Sequence, residues 1–131
     1  MVLHGDYRLG NMLCVDTEVS AIIDWEIWSV SDPRIDLSWF LFFTDEAKHP
    51  VARHGVPSGM PTQAELLEVY DAAMGVPTTD MGWFDALTRY KEAAAMALMA
   101  KHARARTQRG GSAMGGGVVN ELIADAHRRV R

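Results

Sequence analysis

The sequence has few of the features that mark secreted, membrane-spanning or fibrous proteins. Cys14 is the one cysteine among 131 residues, which excludes an internal disulfide and favours a reducing cytoplasm. The longest apolar runs, Leu37–Phe43 and Ala93–Ala100, are well short of the roughly 20 residues that span a bilayer. No basic segment followed by a long apolar stretch marks a secretion signal near Met1. We therefore expect neither a membrane partner nor export.

Extremes of composition are also absent. Apolar residues make up 48% and charged residues 23% of the chain, which is ordinary for a globular domain and excludes disorder as an overall description. The net charge of −4 is unevenly spread: residues 1–46 carry nine acidic and two basic side chains, whereas residues 101–131 carry seven basic and two acidic ones. The acidic part would repel a phosphorylated ligand unless a cation lay between them. For most of these acids a solvated surface is the simpler interpretation.

The apolar patterns predict an α+β domain that is mostly helical. Two short runs, Met12–Val15 and Val19–Asp24, favour a β-hairpin. Helical patterns follow over about 32–42, 62–75, 80–104 and 118–130, with an apolar, buried first helix. Thr62 and Glu65 form a capping box at the start of the second helix. We expect Phe84, Leu87, Ala94 and Leu98 to form the buried stripe of the third. Residues 44–61 read as a long loop and Gly110–Gly117 as a flexible connector.

The chemistry concentrates near the start of the chain. His4-Gly5-Asp6 is followed by four residues and then Asn11, which is the spacing of the H-R-D-x-x-x-x-N catalytic loop with glycine in place of arginine. Asp24 ends the second predicted strand, so the hairpin would bring it beside Asn11. A carboxylate and an amide oxygen there would suit Mg²⁺, which completes its shell with water and substrate phosphates.

Each of these residues also has a plainer interpretation. An isolated Asp-x4-Asn is usually a turn, and Asp24 could be an acid at the end of a strand. Glu26 could touch a metal-bound water or the substrate, or be solvated. Arg8 could reach the transferred phosphoryl group or form a surface ion pair. Trp25 and Trp28 could line the acceptor pocket, although aromatic residues near a core helix are more often part of the core.

Three segments in order carry a family resemblance: H-G-D-Y-R-L-G-N from His4, I-I-D-W-E from Ile22, and D-P-R-I-D-L-S-W-F from Asp32. Together they resemble the C-terminal lobe of the aminoglycoside phosphotransferase and choline kinase-like family, which has a protein-kinase-like fold. The resemblance implies transfer of the γ-phosphoryl group of ATP, with Mg²⁺, to a small-molecule hydroxyl. The residues of the first two segments are similar to those of the family branch linked with acyl-CoA dehydrogenases. This similarity suggests a hydroxylated acyl group or another metabolite as acceptor.

The resemblance also implies a role for each matching residue. Asp6 corresponds to the catalytic base, and Asn11 and Asp24 to ligands of the metal that carries the nucleotide. His4 corresponds to a histidine that packs and orients the loop. Asp36 corresponds to a structural carboxylate that holds the backbone of the catalytic loop from the buried helix.

Some parts of a kinase-like site have no counterpart in the 131 residues. A glycine-rich loop and a lysine–glutamate pair on the ATP phosphates precede the catalytic loop in such enzymes, yet here the loop begins at residue 4. We expect one domain, residues 1–131, corresponding to the C-terminal lobe alone: catalytic loop 4–11, metal segment 22–26 and helical part 32–131. Such a fragment would be inactive by itself and could self-associate through the uncovered surface. The alternative function is a non-catalytic remnant or interaction module.

Other candidate sites are weaker. The remaining histidines show no metal-ligand spacing with cysteine or glutamate partners: His49, His54, His102 and His127. The glycine run lacks the lysine of a phosphate-binding P-loop. The basic segment 101–109 has no interleaved aromatic residues, so a solvated helix end explains it better than nucleic-acid binding.

Overall fold

The computed structural model describes residues 1–45, 59–107 and 116–130. In chain order the elements are β1 (Val2–Leu3), a 3₁₀ turn (Leu9–Asn11), β2 (Met12–Val15), β3 (Glu18–Ile22), β4 (Ser29–Val30), α1 (Arg34–Thr44), α2 (Gln63–Met74), α3 (Met81–Thr107) and α4 (Gly116–Arg129). The chain divides into two compact units, Met1–Met81 and Gly82–Arg131, which are described separately. The mostly helical α+β class predicted from the sequence is confirmed. The prediction of one domain stays a prediction.

The predicted hairpin is present as β2 and β3. The strands are antiparallel, with Met12 opposite Ile22 and Val15 opposite Glu18. Asp16 makes the turn with a φ of 54°, a left-handed conformation that aspartate tolerates better than most residues. The backbone N–H of Ile23 donates to the Asn11 carbonyl at 2.9 Å, so the hairpin closes at the end of the 3₁₀ turn.

A second two-stranded sheet, which the sequence did not predict, joins β1 to β4. Val2 lies opposite Val30 and Leu3 opposite Ser29. The amino group of Met1 donates to the Ser31 carbonyl at 2.9 Å and extends the pairing. Two-residue strands are too short to show an alternating pattern, which is why this sheet has no sequence signature. It fixes where the chain enters the His4–Asp6 loop.

Helix α1 forms the core of the first unit, as predicted. Asp32 accepts the Arg34 backbone N–H at 3.0 Å and begins the helix beside Pro33. The buried apolar side chains of this helix are Leu37, Trp39, Leu41 and Phe42. Because these side chains are closely packed, the helix holds the polar groups that it carries in fixed positions.

Helix α2 begins and ends as the sequence predicts. Thr62 and Glu65 form the reciprocal capping box, and Gly75 ends the helix with a φ of 73°. The Gln63 side chain donates to the Leu41 carbonyl at 2.8 Å and so ties α2 to α1. No residue of α2 is fully buried, so this helix covers α1 with a half-buried face.

The second unit consists of α3 and α4, whose chain directions are opposed. Arg129, near the end of α4, pairs with Asp85 at 3.0 Å near the start of α3. The predicted stripe on α3 is only partly right: Phe84 is buried, whereas Ala94 and Leu98 are exposed. The buried face of α3 passes through Thr88, Arg89, Glu92 and Ala93 instead, and Ala94, the next residue, is turned about 100° away from it.

Two expectations fall on undescribed segments. The predicted loop over 44–61 and the glycine connector lie mostly outside the described residues, although Gly116 and Gly117 belong to α4.

Among the helices of the described ranges, none is both long and apolar enough to cross a membrane. The cytoplasmic location, the absence of a nucleic-acid partner and self-association stay predictions.

Candidate active site

The loop that follows β1 is held by a carboxylate from α1. Asp36 accepts the backbone N–H of His4 at 2.6 Å and that of Gly5 at 2.9 Å, using one oxygen for each. A carboxylate on an apolar helix is costly unless it is hydrogen-bonded, and these two donors satisfy it. These are the contacts that the resemblance implies for Asp36, and they fix the loop backbone to the core helix.

His4 joins the loop to the end of the hairpin. Its ring is buried, and its Nδ1 accepts the backbone N–H of Asp6 at 3.2 Å. Because Nδ1 accepts, the proton of a neutral ring lies on Nε2, which donates to the Ile23 carbonyl at 2.8 Å. The Trp25 ring packs on it with 4.6 Å between centroids. His4 therefore orients the segment before Asp24, and both of its ring nitrogens are engaged in doing so.

Gly5 is required by the geometry of this loop. Its φ is 88°, in the left-handed region, and a Cβ at this position would lie 2.5 Å from the Ile27 carbonyl oxygen. The close approach of two backbone segments leaves no room for a side chain. Steric crowding therefore explains why this chain has glycine where the protein-kinase motif has arginine.

Asp6 is the centre of the site. Three donors reach its carboxylate: Trp39 Nε1 at 2.8 Å on Oδ1, and Asn11 Nδ2 at 2.9 Å and Arg8 Nε at 3.0 Å on Oδ2. Partial burial by itself raises the pKa of Asp6, but the hydrogen bonds from Arg8, Trp39 and Asn11 outweigh it and lower the pKa below its ordinary value. The carboxylate is therefore ionised at neutral pH and held in one orientation.

Asn11 lies beside Asp6 and is buried. Its Nδ2 donates to the Asp6 carbonyl at 2.8 Å as well as to the Asp6 carboxylate. Both side-chain hydrogen bonds described for Asn11 thus use its nitrogen, and the oxygen is the end suited to a metal. Asp24 is exposed, has a φ of 71°, and follows Ile23, whose backbone pairs with Asn11. A shared ion between Asn11 and Asp24 stays a prediction.

Two carboxylates lie together at the exposed edge of the site. A hydrogen bond with Asp24 and the charge of Asp24 raise the pKa of Glu26 above its ordinary value. The neighbouring negative charge disfavours ionisation of Glu26, and a divalent cation bound between the two carboxylates would reverse that effect. Among the described residues no group of three or more His, Cys, Asp or Glu side chains is placed to hold a metal. The donor set fits Mg²⁺ arriving with phosphate oxygens and water.

Trp25 and Trp28 are not part of the core. Their exposed fractions are 44% and 59%, and the Trp25 indole donates to the Ile22 carbonyl at 2.8 Å. The interpretation of these rings as core residues is wrong, because they lie on the segment between β3 and β4 rather than against α1. A role as acceptor-pocket walls stays a prediction.

An apolar cavity of about 490 Å³ borders the catalytic loop at Tyr7. Tyr7, the residue after Asp6, lines it together with Leu37 and Phe40 of α1 and Leu66 and Tyr70 of α2. Tyr7 also packs on Phe40, with 5.5 Å between ring centroids. The cavity therefore shares a wall with the loop that carries Asp6.

Sequence reasoning missed Trp39, the donor on Oδ1 of Asp6. Its position carried a signal: Trp39 follows Asp36 by three residues, so both side chains lie on one face of α1. Since Asp36 was expected to face the catalytic loop, an indole N–H on the same face had a polar partner within reach.

Comparison with known families decides what this arrangement belongs to. A model described as the phosphotransferase enzyme family matches residues 1–87. The chain belongs to this family. The match includes every site residue described above, and the resemblance to aminoglycoside phosphotransferases and choline kinases is confirmed.

Several relatives of this phosphotransferase family member are named as acyl-CoA dehydrogenase family members. "Acyl-CoA dehydrogenase family member 11" of Homo sapiens is 33% identical over 100 residues, 70% of this chain and 13% of the relative. The protein of that name from Pongo abelii is 33% identical over 101 residues, with the same coverage. "Acyl-CoA dehydrogenase family member 10" of Mus musculus is 31% identical over 87 residues, 60% of this chain and 8% of the relative. The chain therefore spans about an eighth or less of these relatives.

Proposed function

We propose that this chain carries the catalytic half of an ATP- and Mg²⁺-dependent phosphotransferase, which moves the γ-phosphoryl group to a hydroxyl of a small molecule. The observation that supports the proposal is the Asp6 carboxylate, ionised and held by three donors on a loop fixed to the core helix. The family match supports phosphotransfer in general.

Asp6 orients the acceptor hydroxyl in this proposal. Its lowered pKa makes it a weak base, so it does not remove the proton before transfer begins. Phosphoryl transfer has a loose transition state in which bond formation to the nucleophile lags, so the proton is needed late. Accepting a hydrogen bond from the hydroxyl and receiving the proton as the new O–P bond forms is a suitable task for such a carboxylate.

Asn11 and Asp24 would hold the metal, with Glu26 beside them. A bound Mg²⁺ supplies neutralisation of the charge on the phosphate oxygens. Arg8 contributes the cationic side chain next to Asp6, at 3.0 Å from its Oδ2 and 39% exposed, and we expect its remaining N–H groups to contact a phosphoryl oxygen.

The ATP-holding parts of such a site, a glycine-rich loop and a lysine–glutamate pair, have no counterpart ahead of His4 in the 131 residues. We therefore expect residues 1–131 alone to bind metal–nucleotide weakly and to turn over poorly. A test of the proposal separates metal binding from turnover.

The cavity and the names of the relatives support one class of acceptor. The cavity beside Tyr7 is lined mainly by apolar side chains, and the relatives' names include acyl-CoA dehydrogenase. A hydroxylated acyl compound matches that lining better than a polycationic antibiotic, because an apolar wall offers no partners for ammonium groups.

Metal binding is tested with Mn²⁺ and ATP on the full 131-residue chain. Water-proton relaxation measures bound Mn²⁺ for the wild type, Asp24→Asn and Asp16→Asn. Both aspartates have left-handed backbones on the same hairpin segment, with φ values of 71° and 54°, so Asp16→Asn is a matched control. We expect Asp24→Asn to abolish the ATP-dependent Mn²⁺ signal and Asp16→Asn to retain it. Equal signals in both variants contradict the metal assignment.

Turnover is tested in a chimaera, in which the residues preceding the matched segment of the human relative are joined to Met1. ADP release is measured with a hydroxyacyl compound, with an aminoglycoside and with water alone as acceptors. Release that requires Asp6 supports the proposal, and stimulation by the hydroxyacyl compound supports its acceptor class. A folded chimaera that binds ATP without releasing ADP favours the alternative, a non-catalytic interaction module.

A further inference from the structure

We propose that Trp39 is a positioning residue for Asp6: its indole N–H fixes Oδ1 so that the remaining acceptor site on this oxygen faces the hydroxyl of the substrate. The task of the carboxylate rests on the proposed function. The Trp39–Asp6 link itself rests on the 2.8 Å contact between Nε1 and Oδ1.

The number of donors identifies which oxygen receives the hydroxyl. A carboxylate offers about two acceptor sites on each oxygen. Oδ2 of Asp6 already accepts from Arg8 Nε at 3.0 Å and Asn11 Nδ2 at 2.9 Å, so both of its sites are occupied. Oδ1 accepts from Trp39 alone among the contacts described for it. The open site is therefore on Oδ1, and the direction of the Trp39 N–H determines where it points.

Trp39 is well suited to this task because it is buried and packed. Its side chain is 6% exposed, and its ring packs on Phe43 with 4.9 Å between centroids. An indole has only two side-chain torsions, so a packed ring places its N–H with little freedom. Arg8, by contrast, has a flexible and 39% exposed side chain. The buried indole therefore determines the orientation of the carboxylate, and the guanidinium group adapts to it.

One helix therefore positions both parts of Asp6. Asp36, three residues before Trp39, holds the loop backbone through the N–H groups of His4 and Gly5. Trp39 holds the end of the Asp6 side chain from the same face of α1. The two contacts prevent the carboxylate from rotating independently of the loop, which is the requirement for a near-attack arrangement with the hydroxyl.

The link is tested on the full 131-residue chain by NMR of the indole N–H groups of Trp25, Trp28, Trp39 and Trp83. The Trp39 signal is assigned as the one lost in Trp39→Phe, and Trp28→Phe is the control for assignment at an exposed ring. In Asp6→Ala we expect the Trp39 proton to move upfield and to exchange faster with deuterated water, while the other three stay in place. If Asp6→Ala does not fold, Asp6→Asn keeps the shape and gives a smaller change in the same direction. A Trp39 signal unmoved in the folded variant overturns the link, whatever the outcome of the metal and ADP-release tests.

The positioning role is tested with the chimaera by a double-mutant cycle on ADP release. Trp39→Phe keeps the aromatic bulk and removes the N–H, so we expect kcat to fall by up to about 10²-fold with an unchanged KM for ATP. In the Asp6→Ala background the same substitution should have no further effect, because Trp39 acts through Asp6. A purely structural role would leave kcat unchanged below the melting temperature or reduce it equally in both backgrounds, and either result overturns the proposal. If wild-type and Asp6→Ala chimaeras have equal turnover, the proposed function fails instead, and the NMR result still decides the link.

Discussion

The carboxylates of Asp6 and Asp36 each accept two or more hydrogen bonds, but from different kinds of donor. Asp36 accepts backbone N–H groups that every sequence supplies, so its task is to hold the chain. Asp6 accepts from three side chains, and in the proposed function its carboxylate meets the acceptor hydroxyl. This difference predicts different consequences when each carboxylate is removed.

Removal of the Asp6 carboxylate should reduce turnover with little effect on nucleotide binding. We expect Asp6→Ala in the chimaera to lower kcat for ADP release by ~10²–10⁴-fold, the usual contribution of a group that accepts the proton. The KM for ATP should stay within a few-fold of the wild-type value. Steady-state kinetics of ADP release measure both parameters, and an unchanged kcat contradicts the assignment of Asp6.

Removal of the Asp36 carboxylate should lower stability as well as activity. Asp36→Ala leaves two backbone donors of a buried loop without their partner, each costing about 1–3 kcal/mol. Thermal unfolding of the full chain, followed by circular dichroism, checks the expected fall in melting temperature. Glu68→Ala, at an exposed acid on α2, is the comparison and should cost much less. A full loss of activity at unchanged melting temperature would argue for direct chemistry.

The sequence predicted these residues unevenly. The spacing of Asp6 and Asn11 and the position of Asp36 in an apolar helix were readable, because a motif and a costly buried charge both leave a pattern. Trp39 was missed because a tryptophan in an apolar helix looks like a core residue, although its spacing of three residues from Asp36 places it on the face toward the loop. The exposure of Trp25 and Trp28 was also not readable, since it depends on where a loop passes.

At the scale of elements, the helix boundaries rest on local chemistry. Thr62, Glu65 and Gly75 form the ends of α2 as their types predict, and the capping interactions involve only neighbouring residues. The β1–β4 pairing and the choice of the buried face of α3 instead depend on segments that are distant in sequence. Local signals were therefore sufficient for α2 and insufficient for these elements.

The capping box of α2 makes a local stability prediction. Thr62→Ala removes the side chain that accepts the Glu65 N–H, and should destabilise the first unit by about 1 kcal/mol. Thr62→Ser keeps the hydroxyl and should stay near the wild type. Urea unfolding followed by circular dichroism distinguishes the two, and equal losses in both variants would show that the methyl group rather than the cap matters.

At the scale of the whole molecule, the site and the family match concentrate in one unit. All of the proposed site residues lie within Met1–Met81, and the family model ends at residue 87. The unit Gly82–Arg131 has its own stabilising feature, a cluster in which Arg89, Arg128 and Arg129 surround Asp125. Arg89 is buried, and Asp125 supplies a carboxylate partner for its guanidinium group.

This cluster predicts a pH dependence of the second unit. Burial alone raises the pKa of Asp125, but hydrogen bonds from Arg89 and Arg129 lower it from 3.8 to about 2. A depressed carboxylate pKa stabilises the fold above the unfolded value, and the contribution disappears as the pH falls from about 3.8 toward 2. Trp83, the tryptophan of this unit, reports the transition by its indole NMR signal.

Asp125→Asn is the variant that tests this dependence. It should destabilise the second unit at neutral pH and remove the loss of stability between pH 4 and 2 that is specific to this group. Glu121→Gln, an exposed acid on the same helix, is the control. Identical acid profiles for Asp125→Asn and the wild type would contradict the role of the cluster.

The contact between Gly5 and Ile27 constrains how this loop can change during evolution. The arginine that protein kinases have in this motif cannot enter at position 5 by a single substitution, because even its Cβ would lie 2.5 Å from the Ile27 carbonyl oxygen. The segment between β3 and β4 would have to move away before position 5 could hold any side chain. A side chain at position 5 and the present course of the segment between β3 and β4 are therefore mutually exclusive.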